Sequence, residues 1–288
     1  MPTLAVTGST GKVGGMVAAR IATAGRRQRL IVRDASRAPD LPGDVAVADY
    51  LDRRAGTAAL RGIRTLFMVS AAEKPDRVQD HLTFIDAARE AGVEQLVYLS
   101  FFGAAPDATF TLGRDHWATE EHLRASGIDH VILRDNLYLD FLPGLVGDDG
   151  AIRGPAGAGK VAAVAQCDVA EVAANVLLDP EPHLGKTYSL TGPEDVSLAR
   201  VAEIITSRRG RQVRYVDETL DEAYASREVY GAPAWQVEAW VSTYTAIAAG
   251  EMAGAGGDVQ SLTGHRATSL EDLLVGPPSG EFSVDRRD

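Results

Sequence analysis

A chain of 288 residues, 45% of them hydrophobic, can bury a sizeable core and has room for one large α/β domain with a smaller appendage. Its net charge of −11, with no clustered stripe of Lys and Arg, excludes nucleic acid as a main partner, because phosphate contacts need concentrated positive charge. No apolar run reaches the length of a membrane span, no leader is expected ahead of the first strand, and the single cysteine excludes an internal disulfide framework. That cysteine, Cys167, sits in an apolar stretch and reads as a buried structural thiol in a reducing, cytoplasmic setting.

In chain order, Leu4–Thr7 reads as a strand that runs straight into Gly8-Ser9-Thr10-Gly11-Lys12-Val13-Gly14, followed by a helical pattern over Val13–Ala24. Three glycines at G-x-x-G-x-x-G spacing, where a strand turns into a helix, suit a tight turn, close approach of a pyrophosphate and close packing of helix on strand. The helix N-terminus then offers unpaired N–H groups to the phosphates. Gly8, Thr10, Gly11, Lys12, Val13 and Gly14 are therefore the first candidate cofactor residues.

Strands are predicted next at Arg29–Arg33, Val45–Ala48, Thr65–Val69, Gln95–Ser100 and His130–Leu133, with helices at Arg53–Leu60, Asp76–Ala91 and Arg114–Ser126. Such alternation implies βαβ units and a Rossmann-type, doubly wound parallel sheet over residues 1–135. Ligands of that fold sit beyond the carboxyl ends of the strands, where Gly8, Arg33, Asp49, Ser70 and Ser100 fall.

After Arg134 the rhythm changes, and residues 136–275 read as a small α+β lobe on the substrate side with elements returning to the core. Its glycine- and proline-rich stretch from Pro143 to Gly159 reads as a loop or short hairpin over the site. Asp168 is a candidate N-cap for a helix over Val169–Leu178, and Trp235 and Trp240 read as core packing on a helix over Trp235–Glu251. Residues 276–288 lack apolar periodicity and are expected to be disordered.

The second strand ends in Val32-Arg33-Asp34, with Arg33 where an acid would otherwise bind the adenosine ribose of NAD. A guanidinium there can grip a 2′-phosphate by charge-assisted bonds, so NADPH is the expected cofactor, with Lys12 and Arg37 as secondary phosphate contacts. Asp34 points elsewhere by strand alternation. Asp49 reads either as an acid beside the adenine amino group or as a turn-forming aspartate before Tyr50.

No tyrosine has a lysine four residues later, and none of the chain's lysines (Lys12, Lys74, Lys160, Lys186) lies on the helix expected to carry such a pair. Simple ketone reduction through a lysine-assisted tyrosine is thereby disfavoured. On that helix, Leu112-Gly113-Arg114-Asp115-His116-Trp117-Ala118-Thr119-Glu120 places His116 and Glu120 on one face. His116 is the catalytic candidate, a proton or hydrogen-bond donor titrating near neutrality; the competing reading is a surface histidine paired with Glu120. His122 lies off that face.

The glycine segment, Val32-Arg33-Asp34, Leu99-Ser100, His116 with Glu120-Glu121, Ser126-Gly127-Ile128 through Ile132-Leu133-Arg134, Asp168-Val169-Ala170, Gly185-Lys186-Thr187-Tyr188 and Leu190-Thr191-Gly192-Pro193 together resemble the NmrA-like branch of atypical short-chain dehydrogenases. Within it the chain is similar to type 2 quinone oxidoreductases and to triphenylmethane and azo dye reductases. The resemblance implies flavin-free hydride transfer from NADPH to a quinone or other conjugated aromatic acceptor. Related isoflavone reductases place a lysine where His116 stands. The resemblance also implies that Ser70 and Ala71 line the nicotinamide ribose, that Ser100 ends the next strand, and that Phe101, Phe102, Asn136 and Tyr138 lie at the substrate pocket, with Asp140 altering its polarity. The alternatives are a dinucleotide-binding redox sensor and a dedicated reductase, dehydratase or isomerase of aromatic metabolism. No metal site is expected, and the assembly is expected to be a monomer or homodimer.

Overall fold

The computed structural model describes residues 2–275, so the tail expected to be disordered lies outside the described residues. Elements follow in the order β1 (Leu4–Thr7), α1 (Lys12–Thr23), β2 (Gln28–Val32), β3 (Gly43–Val47), α2 (Arg53–Leu60), β4 (Thr65–Val69), α3 (Arg77–Ala91), β5 (Gln95–Phe101), α4 (Thr111–Ala125) and β6 (Asp129–Asp135). The second half adds β7 (Ala151–Gly154), β8 (Lys160–Val161), α5 (Gln166–Leu178), β9 (Thr187–Leu190), β10 (Val196–Ser197), α6 (Leu198–Arg209), β11 (Arg214–Asp217), α7 (Leu220–Arg227), α8 (Ala234–Ala248), α9 (Asp258–Thr263) and α10 (Leu270–Val275).

Seven parallel strands form the central sheet in the order β3-β2-β1-β4-β5-β6-β9. The order reverses between β1 and β4, which makes this the expected Rossmann-type, doubly wound sheet and opens a crevice at that switch point. Strand alternation supplies both faces. Val6, Phe67, Val97 and Leu99 pack beneath α1 and α5, while Ala5, Leu66, Met68 and Tyr98 pack beneath α2, α3 and α4. No described helix is long and apolar enough to cross a membrane.

A further core gathers Leu142, Ile152, Val161, Val201, Ile205 and Ile247, beneath a parallel pair (β7 with β11) and an antiparallel pair (β8 with β10). The stretch from Pro143 to Gly159 is loop at residues 146–150 and 155–159, as expected, but it is not a hairpin. A 3-10 helix covers Leu139–Leu145, and β7 pairs with a strand far along the chain. The glycines misled the reading because they serve packing: a Cβ on Gly154 would stand 2.2 Å from the Tyr244 ring, and one on Gly159 2.1 Å from the Ile247 carbonyl oxygen.

Local capping rules also failed at α5. The helix starts at Gln166, and Asp168 is inside its first turn, where its carboxylate accepts from the Thr268 N–H (2.6 Å) and hydroxyl (2.9 Å). Asp140, expected to tune a pocket, instead accepts from the Gln166 N–H at 2.9 Å and so caps α5 from a distance. Trp235 and Trp240 are half-buried rather than core, Trp240 standing edge-on to Tyr230 at 5.9 Å. Cys167 is also half-buried, and burial pushes its thiol up to about 11, which keeps it protonated.

Candidate functional site

The turn after β1 is built by close approach. Gly8 has φ +63°, and a Cβ there would meet the Val69 side chain at 3.0 Å. A Cβ on Gly14 would fall 2.3 Å from the Gly8 carbonyl oxygen, so only glycine lets α1 sit this close to the turn. The Gly11 N–H closes the turn on the Gly8 oxygen at 2.9 Å. Gly11 is the N-cap of α1 without any side-chain cap, and no acid occupies the first turn. The helix end thus keeps its N–H groups and positive dipole end for a ligand. Ser9 adds a buried hydroxyl with no partner among the described residues.

A cavity of about 620 Å³ opens over this turn at the switch point, within the size range of small-molecule sites. Gly8, Thr10, Arg33, Asp49, Ser70 and Ala71 line it, six of the eleven cofactor candidates. Arg33 is exposed and makes no hydrogen bond or ion pair with any described residue. Asp34 turns away, accepting from the Ser36 N–H and hydroxyl, which hold its carboxyl below the usual range. Asp49 forms the turn, its Oδ1 accepting from the Leu51 N–H at 3.0 Å, and it also lines the cavity. Tyr50 completes that wall, with its hydroxyl bridging Thr7 Oγ1 (2.7 Å) and the Val69 carbonyl (2.6 Å) and its ring stacked on Phe84.

The other five candidates do not line the cavity. Gly11 and Gly14 shape the turn, Lys12 is exposed outside it, and Val13 packs its side chain into the core. Ser100 is buried and donates to Glu120 at 2.6 Å. Arg37 is exposed on the 3-10 turn after β2 and likewise stands off the wall.

The ends of β5 and β6, with α4, form a second polar region. Glu120 is fully buried and accepts from Arg134 through Nε (2.8 Å) and Nη2 (2.6 Å), from Arg124 and from Ser100. It is thus a clasp of α4 to β5 and β6, not the partner of His116. His116 is itself buried, with Nδ1 3.0 Å from the Tyr98 hydroxyl. The reading of a surface histidine is excluded. Burial first, then the nearby Arg77 guanidinium, hold its pKa well below the usual 6.5, so the ring is neutral at physiological pH instead of titrating near neutrality. Phe101 stands 6.1 Å from the His116 ring and 4.8 Å from Phe110. Phe102 lies beside Gly254. Asn136 is committed at both ends, to the Met252 carbonyl (3.0 Å) and the Leu137 N–H (2.7 Å). The Tyr138 hydroxyl donates to Asp135, whose carboxyl burial pushes up to about 8. His122 pairs with Asp86 at 3.0 Å.

Four groups that the sequence reading did not single out complete the region. His81 accepts from the Ala71 N–H (2.8 Å) and meets the Thr119 hydroxyl (2.8 Å), which itself donates to the Asp115 carbonyl. The imidazole therefore carries its proton on Nδ1 and ties the cavity wall to α4. Burial pushes its pKa down to about 3. Arg77 and Tyr98 stand beside His81 and His116, and Asp135 is near Arg77. A signal existed: Arg77 and His81 share a face of α3 with Ile85 and Ala88, so polar groups lie on an inward stripe.

The family model described as NAD(P)H-binding matches residues 8–180. The chain belongs to this NAD(P)H-binding family. It is 30% identical over 274 residues to an NAD(P)H azoreductase of Xenophilus azovorans, covering 93% of this chain and 95% of that protein. It is 32% identical over 280 residues to the (4-alkanoyl-5-oxo-2,5-dihydrofuran-3-yl)methyl phosphate reductase of Streptomyces griseus, covering 93% and 95%. The crystal structure of an NADPH-dependent quinone oxidoreductase from Escherichia coli, complexed with NADPH, superposes with a TM-score of 0.87 at 29% identity, covering 94% of this chain and 98% of that one. The chain is an NAD(P)H-dependent oxidoreductase, and the NmrA-like atypical short-chain dehydrogenase assignment holds. The residues present fit the cofactor: Gly8, Thr10 and Arg33, the last unpaired among the described residues, line one cavity, and the turn beside it carries an uncapped helix end and a Ser9 hydroxyl with no partner among the described residues.

Proposed function

We propose that the protein is an NADPH-dependent, flavin-free reductase of quinones or similarly conjugated acceptors. One observation carries the cofactor choice: Arg33, unpaired among the described residues, lines the same cavity as Gly8, where a guanidinium suits a 2′-phosphate. Bound NADPH supplies a hydride to an electrophilic acceptor. Residues 1–135 hold the dinucleotide, and the lobe over 136–275 shapes the acceptor side.

The substrates named by the relatives support this acceptor class. Azo groups, quinones and an oxo-dihydrofuran bearing an alkanoyl group are all conjugated electrophiles, which need modest proton assistance. The chain's own groups match that modest demand. His116, held neutral by burial, offers a hydrogen bond and no imidazolium. Asp135 keeps its proton through neutral pH beside Tyr138 and is the candidate proton source.

Purified protein assayed with NADPH and with NADH against quinones, azo dyes and conjugated enones tests the reading. NADPH-preferring turnover, with no flavin absorbance in the preparation, is the expected result. Absence of NADPH oxidation with every acceptor overturns the reductase, and tight NADP⁺ binding without turnover favours the sensor.

A further inference from the structure

We infer that Lys74 and Asp80 form a polar clamp in the cavity, holding a hydroxyl or amino group of the bound dinucleotide on the side of β1 away from Arg33. This rests on the dinucleotide occupying the cavity. Both residues line it. Lys74 comes from the loop after β4, Asp80 from the first turns of α3, and the Nζ–Oδ2 distance is 2.5 Å.

The pair is incomplete in a way that points to a ligand. Asp80 is 4% exposed, and its Oδ1 is buried with no hydrogen-bond partner among the described residues. A buried carboxylate oxygen left unpaired is unfavourable, and a donor from a ligand relieves it. The neighbouring acids of the same cavity differ. Asp49 and Asp52 spend an oxygen on the N–H of Leu51 and Ala55, whereas Asp80 spends none on backbone.

The chemistry of the pair selects its occupant. A carboxylate only accepts and an ammonium only donates, so together they suit a group that does both. A ribose hydroxyl qualifies, as does an adenine amine with its adjacent ring nitrogen. A phosphate does not, because Asp80 repels it. The clamp is also held in place: His81, the next residue, accepts from the Ala71 N–H of the same wall at 2.8 Å.

Calorimetric titration of the full-length protein with NADPH and with adenosine 2′,5′-bisphosphate tests the clamp, using Asp80→Ala and the charge-neutral double variant Lys74→Met/Asp80→Leu. The double variant removes both charges together, so it keeps a folded protein in hand if the single variant melts early. Each is expected to weaken NADPH binding about tenfold. An equal loss with the bisphosphate places the clamp on the adenosine half; a loss confined to NADPH places it on the nicotinamide ribose. Wild-type NADPH affinity in a folded variant overturns the clamp and leaves the dinucleotide reading intact. Failure of the unsubstituted protein to bind NADPH overturns both.

Discussion

The two ends of the site are built on opposite principles. At the glycine turn, polar groups are left open: among the described residues Arg33 has no partner, the buried Ser9 hydroxyl is unpaired, and α1 has no side-chain cap. At the ends of β5 and β6, polar groups are largely spent on one another, through Glu120 with Arg134 and Ser100, Asn136 with Met252 and Leu137, and Tyr138 with Asp135. An open end derives its affinity from what the ligand brings. A closed end holds its groups rigidly, and under the proposed function that suits acceptors that need orientation more than charge.

Gly14→Ala attacks the open end most severely. Its Cβ would stand 2.3 Å from the backbone oxygen of Gly8, which no rotamer change relieves. NADPH affinity is expected to fall at least about a hundredfold with a lowered melting temperature, read by titration and thermal unfolding. The counterpart at the closed end is Glu120→Ala. Removing one partner of a buried pair leaves the Arg134 guanidinium uncompensated, and a loss of about 3 kcal/mol in urea unfolding is expected. NADPH affinity should change little. If Glu120→Ala lost binding and kept stability, the division between the two ends would collapse.

The same contrast explains what could be read in advance. The placement of Gly8, Gly14 and Arg33 is legible because it follows from backbone geometry and strand position, which are local properties of the chain. His116 lies on the expected helix, but its competing reading, a surface pairing with Glu120, is not made, and burial keeps the ring neutral instead of titrating near neutrality. The rotation of α4 is set by Tyr98 of β5, and the carboxylate of Glu120 is claimed by Arg134 of β6. No spacing rule within α4 contains those contacts. Asp168 and Asp140 failed for the same reason, since Asp140 caps α5 across 26 positions and Asp168 serves Thr268 a hundred positions on. Ser100 sits at a strand end as expected, yet its hydroxyl turns inward to Glu120.

Arg33→Ser sharpens the open end by separating cofactor recognition from cofactor binding. NADPH affinity is expected to fall about ten- to thirtyfold, while NADH affinity shifts less than about twofold, because a lost charge-assisted contact to the 2′-phosphate is absent in NADH. Equal losses for both nucleotides would move Arg33 from the phosphate to the shape of the turn.

The smallest expected effect concerns protonation at the closed end. Asp135 has a folded pKa raised from 3.8 to about 8, so its contribution to stability is complete below about pH 3.8 and is lost as pH rises toward about 8. His81 and His116 run the other way: with folded values below 6.5, their contribution holds above about 6.5 and is lost as pH falls. Between about pH 6.5 and 8 only Asp135 of these three changes stability, at roughly 1.4 kcal/mol per pH unit. Urea unfolding of Asp135→Asn across that window should lack this decline, so the variant gains on the wild type as pH rises. Turnover should weaken toward and above about pH 8 if Asp135 supplies the proton, and no limb near 6.5 should belong to His116. A limb near 6.5 that vanished in His116→Asn would show an imidazole titrating against solvent, and the closed end would then have to be redrawn as open.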